Sequence, residues 1–184
     1  IPSINMIHHY LVTDEHPEIK KLDKELPVVR DPHSSCYLRQ EGKGLLIGIY
    51  EKNAKCWALD GMDWKFDMEL LEPDLDRLEE HLKKGMDRIP QFRDVGIKRI
   101  ICGPITHTPD GNFLAGPAPG LRNFWMFCAA SVGIAQGGGA GKYMAQWMTY
   151  GDADINMLEF DPRRYLSWAH KDYAVVKCTD EYKR

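Results

Sequence analysis

The stretch CYLRQEGKGLLIGIY, residues 36–50, decides the fold class of this chain. Two runs rich in β-forming residues, Cys36–Gln40 and Leu45–Tyr50, flank the sequence EGKG at positions 41–44. Glycine and charged residues of this kind suit a tight turn between antiparallel strands. We therefore predict a β-hairpin here.

Further elements are predicted on both sides of this hairpin. Ile4–Thr13 reads as a strand, and Pro73 opens a helix whose apolar residues recur every three or four positions up to Ile89. Strands at 97–106 and 123–130 and a helix at 143–150 follow. Because strands and helices do not alternate regularly, we predict an α+β fold: a mixed, largely antiparallel sheet with packed helices.

The composition excludes several classes of protein. The chain has 184 residues, and its 24 Lys and Arg against 27 Asp and Glu give a formal net charge of −3. This balance provides no basic excess for binding nucleic acid. No apolar run approaches the roughly 20 residues of a membrane span. The first residue is Ile1 rather than Met, so we expect the chain to be part of a longer protein.

The cysteines and four of the histidines give no sign of a metal site. The five cysteines are odd in number and form no CxxC pair, which favours a reducing compartment without disulfides or zinc. His16, His33, His81 and His170 lie among charged residues and are predicted to be solvated. We expect no metal.

A glycine cluster, Gly137-Gly138-Gly139-Ala140-Gly141, lies between the predicted strand at 123–130 and the helix at 143–150. Glycines at a helix start let a ligand approach backbone N–H groups that carry partial positive charge. The spacing matches neither the dinucleotide fingerprint nor a P-loop, since Tyr143 replaces the magnesium-binding Ser or Thr. The alternative is a tight packing turn without a ligand.

Two polar motifs lie on predicted strands. Alternation along the first strand places His8 and Tyr10 on one face and His9 on the other. A His–Tyr pair can transfer a proton or orient an amine, although a half-buried structural strand would look the same. Tyr37 shares a face with Arg39, and the two could hold a carboxylate or simply pack across the hairpin.

Five motifs together resemble one family. They are HHYLVT at 8–13, YLRQ at 37–40, GIYE at 48–51, GPITHTPD at 103–110 and GGGAGK at 137–142. In this order and spacing they resemble the dimethylglycine and sarcosine dehydrogenase family, within the D-amino-acid-oxidase-like flavoproteins. The resemblance covers nearly the whole chain.

The resemblance implies site residues one by one. The active-site histidine of the family matches His8, and its active-site tyrosine matches Tyr37. The segment that contacts the flavin ring matches Val132, Gly133, Ile134 and Ala135, ahead of Gly137, Gly138 and Gly139. His8 and Tyr37 would then position the neutral amine, and a helix start would stabilise negative charge on the flavin.

The resemblance also implies an activity and partners. The chain would be a fragment of an FAD-dependent amine dehydrogenase, inactive alone, that demethylates dimethylglycine, sarcosine or a similar N-methyl amino acid. Its partners would be the upstream FAD-binding part, which would carry any histidine covalently linked to the flavin, and electron-transfer flavoprotein. Tetrahydrofolate would be a further cofactor of the full protein. An oxygen-using amine oxidase and a non-catalytic binding or assembly subunit stay open.

The expected organisation and location follow from the same resemblance. Residues 1–99 would form part of a substrate-binding domain, 100–151 the returning segment of the FAD-binding domain, and 152–184 a linker toward a folate-binding-type domain. The protein would work in the cytoplasm, or in the mitochondrial matrix of a eukaryote.

Overall fold

The computed structural model describes residues 1–183 and confirms the α+β class. Its residues form two compact units. The first unit comprises Ile1–Met6 and Ile105–Glu181, and the second comprises Ile7–Pro104 together with residues 182–183. Arg184, the last residue of the predicted 152–184 segment, lies outside the described residues. The functional assignment of the three predicted segments stays a prediction.

The second unit is built on an antiparallel sheet. Its strand order is β2-β3-β4-β1-β5, and β6 also pairs with β1. The predicted hairpin is confirmed, because Glu41 pairs with Gly44 across a two-residue loop between β3 and β4. The strands are β1 (Ile4–Thr13), β2 (Val29–Asp31), β3 (Cys36–Glu41), β4 (Gly44–Ile49), β5 (Cys56–Trp57) and β6 (Ile97–His107).

One face of this sheet carries the apolar core of the second unit. Leu38, Ile47 and Ile49 from the sheet pack with Leu78 and Phe92. The helices are α1 (Pro17–Lys20) and α2 (Glu79–Arg88), with 3-10 turns at Asp76–Leu78 and Pro90–Asp94. The predicted apolar helix face is confirmed, since its leucines, Met86 and Ile89 lie against this core. The helix itself begins at Glu79, later than Pro73, because the first turn is 3-10.

A glycine sets the distance between α2 and the sheet. A Cβ added at Gly85 would lie 2.4 Å from Cδ1 of Ile47, so the end of that side chain would have to shift to accommodate any other residue. The sheet register pairs Tyr10 and Tyr37 with Gly48, which alternates with the core residues Ile47 and Ile49, so Tyr10 and Tyr37 lie on the face opposite the core, together with His8. The alternation predicted for His8 and His9 agrees with this arrangement.

The first unit is a smaller arrangement of a two-stranded sheet and helices. Strands β7 and β8 pair antiparallel, and Phe113, Ala115, Ala140 and Met157 form a core with Trp147 packed against it. Its elements are β7 (Leu114–Pro117), β8 (Trp125–Cys128), α3 (Gly133–Tyr150), a 3-10 turn at Pro162–Arg164 and α4 (Lys171–Tyr182).

The glycine cluster does not open a helix, and the prediction that it does is wrong. Helix α3 begins at Gly133, so Gly137, Gly138 and Gly139 lie inside it. Glycine costs about 1 kcal/mol per residue in a helix interior. Here that cost is offset by packing of Ala140 and of residues in the following turns on the core of the first unit. The predicted end is confirmed, since Gly151 caps the helix in the left-handed conformation.

Two of the four histidines predicted to be solvated are buried. His16 accepts a hydrogen bond from the backbone N–H of Glu18 at the start of α1. His81 has Nδ1 2.9 Å from the carbonyl oxygen of Ser34. Both rings can be buried because each forms a hydrogen bond with a backbone group. The charged neighbours of these histidines in the sequence give no sign of such a bond. His33 and His170 are exposed, as predicted.

No disulfide joins any two of the five cysteines within residues 1–183, and Cys36, Cys102 and Cys178 are buried. No group of three or more His, Cys, Asp or Glu side chains within residues 1–183 could hold a metal ion. No described helix is both long enough and apolar enough to cross a membrane.

Candidate active site

His8 and Tyr37 lie side by side on the sheet of the second unit. Nε2 of His8 is 3.2 Å from the hydroxyl oxygen of Tyr37. The two rings are stacked with centroids 5.9 Å apart. They come from β1 and β3, which both pair with β4, so the sheet itself brings two distant positions together. The structure thus joins the two residues that the resemblance implied.

A glycine of β4 makes room for Tyr37. Gly48 pairs with Tyr10 on one side and with Tyr37 on the other. A Cβ added at Gly48 would lie 1.9 Å from Cζ of Tyr37, so the tyrosine ring lies directly over the glycine backbone. This contact fixes where the Tyr37 hydroxyl is presented to His8.

Two further tyrosines complete an aromatic cluster around His8. Tyr50 has its ring centroid 4.8 Å from that of His8, and Tyr182 has its centroid 6.0 Å away. The guanidinium of Arg30 lies 4.7 Å from the centre of the Tyr50 ring. His8 is buried within this cluster. Low polarity of this kind strengthens each hydrogen bond that the cluster makes.

Burial sets the protonation of the phenols. Desolvation raises the pKa of Tyr37 to about 12, and the neighbouring Tyr50 and Tyr10 add to it. Burial also raises the pKa of Tyr50. Both side chains therefore remain neutral O–H donors at physiological pH, able to orient a ligand without carrying charge.

A buried ion pair contacts the aromatic cluster through Tyr182. Glu51, which follows β4, is 1% exposed and pairs with Arg77. Oε2 of the same carboxylate lies 3.2 Å from the hydroxyl of Tyr182. On the core side, Nε2 of His9 accepts a hydrogen bond from the backbone N–H of Asp74 at 3.1 Å. Burial is the main cause that lowers the pKa of His9, which favours its neutral form.

Arg39 does not join Tyr37. Its guanidinium pairs with Glu41 at 2.5 Å on the same strand. The hypothesis that Tyr37 and Arg39 together hold a carboxylate therefore has no support in this arrangement. Sequence reasoning also gave no role to Tyr50, Glu51, Arg77 or Tyr182. Only the first two lay in a quoted motif, GIYE at 48–51.

The other predicted ligand contacts belong to the first unit. Helix α3 starts after Val132 without a side-chain cap, and Ile134 is fully exposed. A Cβ added at Gly137, Gly138 or Gly139 would meet no heavy atom within 4 Å. An uncapped N-terminus next to an open, side-chain-free helix surface suits a large ligand with negative charge. These residues therefore fit the flavin implied by the resemblance.

The comparisons with known proteins decide the family. A family model described as "FAD dependent oxidoreductase" matches residues 2–147. The chain belongs to this family. The chain is 40% identical over 186 residues to dimethylglycine dehydrogenase from Rattus norvegicus, covering 98% of this chain and 22% of that protein.

A second relative and a solved structure are also similar to this chain. The chain is 36% identical to sarcosine dehydrogenase from Mus musculus, with 90% of this chain and 17% of that protein covered. It thus spans about a fifth of the length of these curated relatives. In structure it resembles L-proline dehydrogenase from P. horikoshii, with a TM-score of 0.67 and 22% identity over 89% of this chain and 40% of the other. That likeness supports the fold.

Proposed function

We propose that this chain forms the substrate side of an FAD-dependent amine dehydrogenase that demethylates an N-methyl amino acid. The observation that carries the proposal is the hydrogen-bonded pair of His8 and Tyr37, buried among aromatic rings. The chain that holds this pair is 40% identical to a dimethylglycine dehydrogenase. Dimethylglycine, sarcosine or a close analogue is the proposed substrate.

The proposed roles follow from the geometry of the pair. The Nε2 atom of His8 can take a proton from an ammonium group, because the amine must be neutral before its carbon is oxidised. The hydroxyl of Tyr37 orients the nitrogen, and the surrounding rings of Tyr50 and Tyr182 exclude water. FAD, when bound, supplies the acceptor for the hydride equivalent.

The residues proposed to hold FAD are those of helix α3. The backbone N–H groups of Val132 and Ile134 would face the negatively charged edge of the flavin. Gly133 and Ala135, whose N–H groups donate to the carbonyl oxygens of Ala130 and Val132, would line the cofactor through the rest of their backbone. The open surface at Gly137, Gly138 and Gly139 would let the cofactor come close to the helix. Whether the flavin is covalently attached depends on a histidine outside this chain.

The partners and location are proposals of the same kind. The rest of the FAD-binding part, electron-transfer flavoprotein as electron acceptor and tetrahydrofolate as one-carbon acceptor would complete the enzyme. The two curated relatives are named as mitochondrial proteins, which supports the mitochondrial matrix in a eukaryote and the cytoplasm otherwise.

The test is anaerobic stopped-flow reduction of the flavin in the full-length protein. Adding dimethylglycine or sarcosine should bleach the flavin absorbance of the wild type. His8→Asn should slow this reduction about 100-fold, and Tyr37→Phe about tenfold, because each removes a positioned proton-transfer or orienting group. His33→Asn, which alters an exposed histidine of the same unit, should stay within about twofold of the wild type.

The other outcomes decide between the alternatives. Rapid reoxidation of the reduced flavin by air would make the protein an oxidase rather than a dehydrogenase. A protein without flavin absorbance would support the non-catalytic subunit. Unchanged rates in both His8→Asn and Tyr37→Phe would remove these two residues from the site.

A further inference from the structure

Tyr182 brings the end of the chain into the polar cluster of the second unit. It is the last residue of α4 and is 1% exposed. Its hydroxyl oxygen lies 2.8 Å from Nδ1 of His8 and 3.2 Å from Oε2 of Glu51. It thus connects the histidine of the proposed site to a buried carboxylate, 174 residues away from His8 in sequence.

The direction of the hydrogen bonds follows from the donors available. A phenol has one proton to donate, whereas an ionised carboxylate only accepts. Glu51 is buried, and Arg77 is paired with its Oε1 atom, so Oε2 needs a donor of its own. A hydrogen bond to a charged acceptor is about twice as strong as one between neutral groups. The hydroxyl of Tyr182 also lies 3.4 Å from the carbonyl oxygen of Ile7 and 3.3 Å from that of Ile49. Glu51 is the nearest of these three acceptors and the charged one, so the Tyr182 hydroxyl donates to Glu51.

This direction fixes the tautomer of His8. With its proton directed to Glu51, the Tyr182 oxygen accepts from Nδ1–H of His8. The other ring nitrogen, Nε2, then carries no proton and accepts from the Tyr37 hydroxyl at 3.2 Å. Burial and the nearby charge of Glu51 raise the pKa of Tyr182, so the phenol keeps its proton.

We propose that Tyr182 is a positioning residue for His8: it holds the imidazole with Nδ1 protonated, so that Nε2, which accepts from the Tyr37 hydroxyl at rest, carries the lone pair that can take the proton of the substrate amine. A line of hydrogen bonds runs from Arg77 through Glu51 and Tyr182 to His8, and it ends at Tyr37. When Nε2 takes a proton, the resulting imidazolium is stabilised through Tyr182 by the carboxylate of Glu51. This role of Tyr182, a residue outside the five sequence motifs, rests on the proposed function.

The test is the pH dependence of flavin reduction in the full-length holoenzyme with Tyr182→Phe. We expect the limiting rate to fall about tenfold or more, since the imidazole loses the group that selects its tautomer. The pH limb that disappears in His8→Asn should move to lower pH, because the imidazolium loses its link to Glu51. Tyr173→Phe, which removes a hydroxyl from the same helix, should change neither quantity.

A double variant separates positioning from a general structural effect. Tyr182→Phe added to His8→Asn should slow flavin reduction by less than about twofold, because no histidine remains to be positioned. An equal slowing in both backgrounds would overturn the proposal. So would a wild-type rate and pH limb in Tyr182→Phe alone.

A second variant covers the case in which Tyr182→Phe does not fold or loses its flavin. Glu51→Gln keeps the shape and one acceptor oxygen but removes the charge, so the His8 limb should again move to lower pH. An unmoved limb would overturn the proposal. Failure of the wild type to reduce its flavin with any N-methyl amino acid would instead overturn the proposed function, and the role of Tyr182 with it.

Discussion

The two candidate ligand-binding regions of this molecule are built in opposite ways. In the second unit, His8 and Tyr37 are held by hydrogen bonds and ring contacts from three strands and the end of α4. In the first unit, the α3 surface at Gly137, Gly138 and Gly139 presents backbone without side chains and has no heavy atom within 4 Å of an added Cβ.

This difference predicts how each region fails. A cluster held by buried hydrogen bonds is damaged when atoms are removed, because a buried group is then left without its partner. At the open glycine surface, added atoms should leave the protein folded and instead obstruct the flavin that we propose to bind there. Substitutions at the two regions should therefore separate protein stability from flavin binding.

The largest effect on stability is expected at Arg77. Arg77→Met removes the partner of the buried Glu51 carboxylate. Leaving one charge of a buried pair without its counterpart costs about 3–5 kcal/mol. We therefore expect the free energy of unfolding of the full-length protein, measured by urea titration of the holoenzyme, to fall by this amount.

Two matched variants test that explanation. Lys83→Met breaks the exposed pair with Glu79 on α2 and should cost less than about 0.5 kcal/mol. Arg77→Met combined with Glu51→Gln should recover part of the stability, because the amide carries no charge to desolvate. If Lys83→Met and Arg77→Met lowered the free energy of unfolding by the same amount, burial of Glu51 would have no energetic role.

A smaller effect on stability, with a change in activity, is expected at Gly48. Gly48→Ala places a methyl group where the Tyr37 ring lies, 1.9 Å from its Cζ atom. Overpacking of this kind costs about 1–3 kcal/mol, and here the ring must move away from His8. Flavin reduction should therefore slow by about as much as in Tyr37→Phe. A wild-type rate in a folded Gly48→Ala protein would show that the position of this ring is unimportant.

The sequence predicted the second unit better than the first for a physical reason. Alternating β-forming runs and a glycine turn specify a hairpin locally, so β1, β3 and β4 agree with expectation. Strand alternation also placed His8 and His9 on opposite faces. By contrast, the start of α3 depends on packing of Ala140 and Trp147 on a distant core, which outweighs the low helix propensity of the glycines.

The supporting groups of the site were beyond sequence reasoning because they come from far along the chain. Tyr182 is separated from His8 by 174 positions and lies in no motif. Arg77 reads as one more charge of a helical segment, yet its partner is the buried Glu51. Pairwise contacts at such separations depend on the topology of the whole unit, and periodicity carries no information about them.

A small gain in stability, and the sharpest contrast between the regions, is expected on α3. Gly138→Ala adds one methyl group to open space, so the helix should become more stable by about 0.5–1 kcal/mol. If this surface faces FAD, the same methyl group should lower the flavin content of the purified full-length protein several-fold. Gly141→Ala adds a methyl group to the same helix, also in open space and outside the proposed FAD contacts, and should give the same stabilisation with full flavin content. Equal flavin content in the two alanine variants would contradict the assignment of Gly138 to the cofactor and leave the helix terminus at Val132–Ala135 as the sole contact proposed on α3.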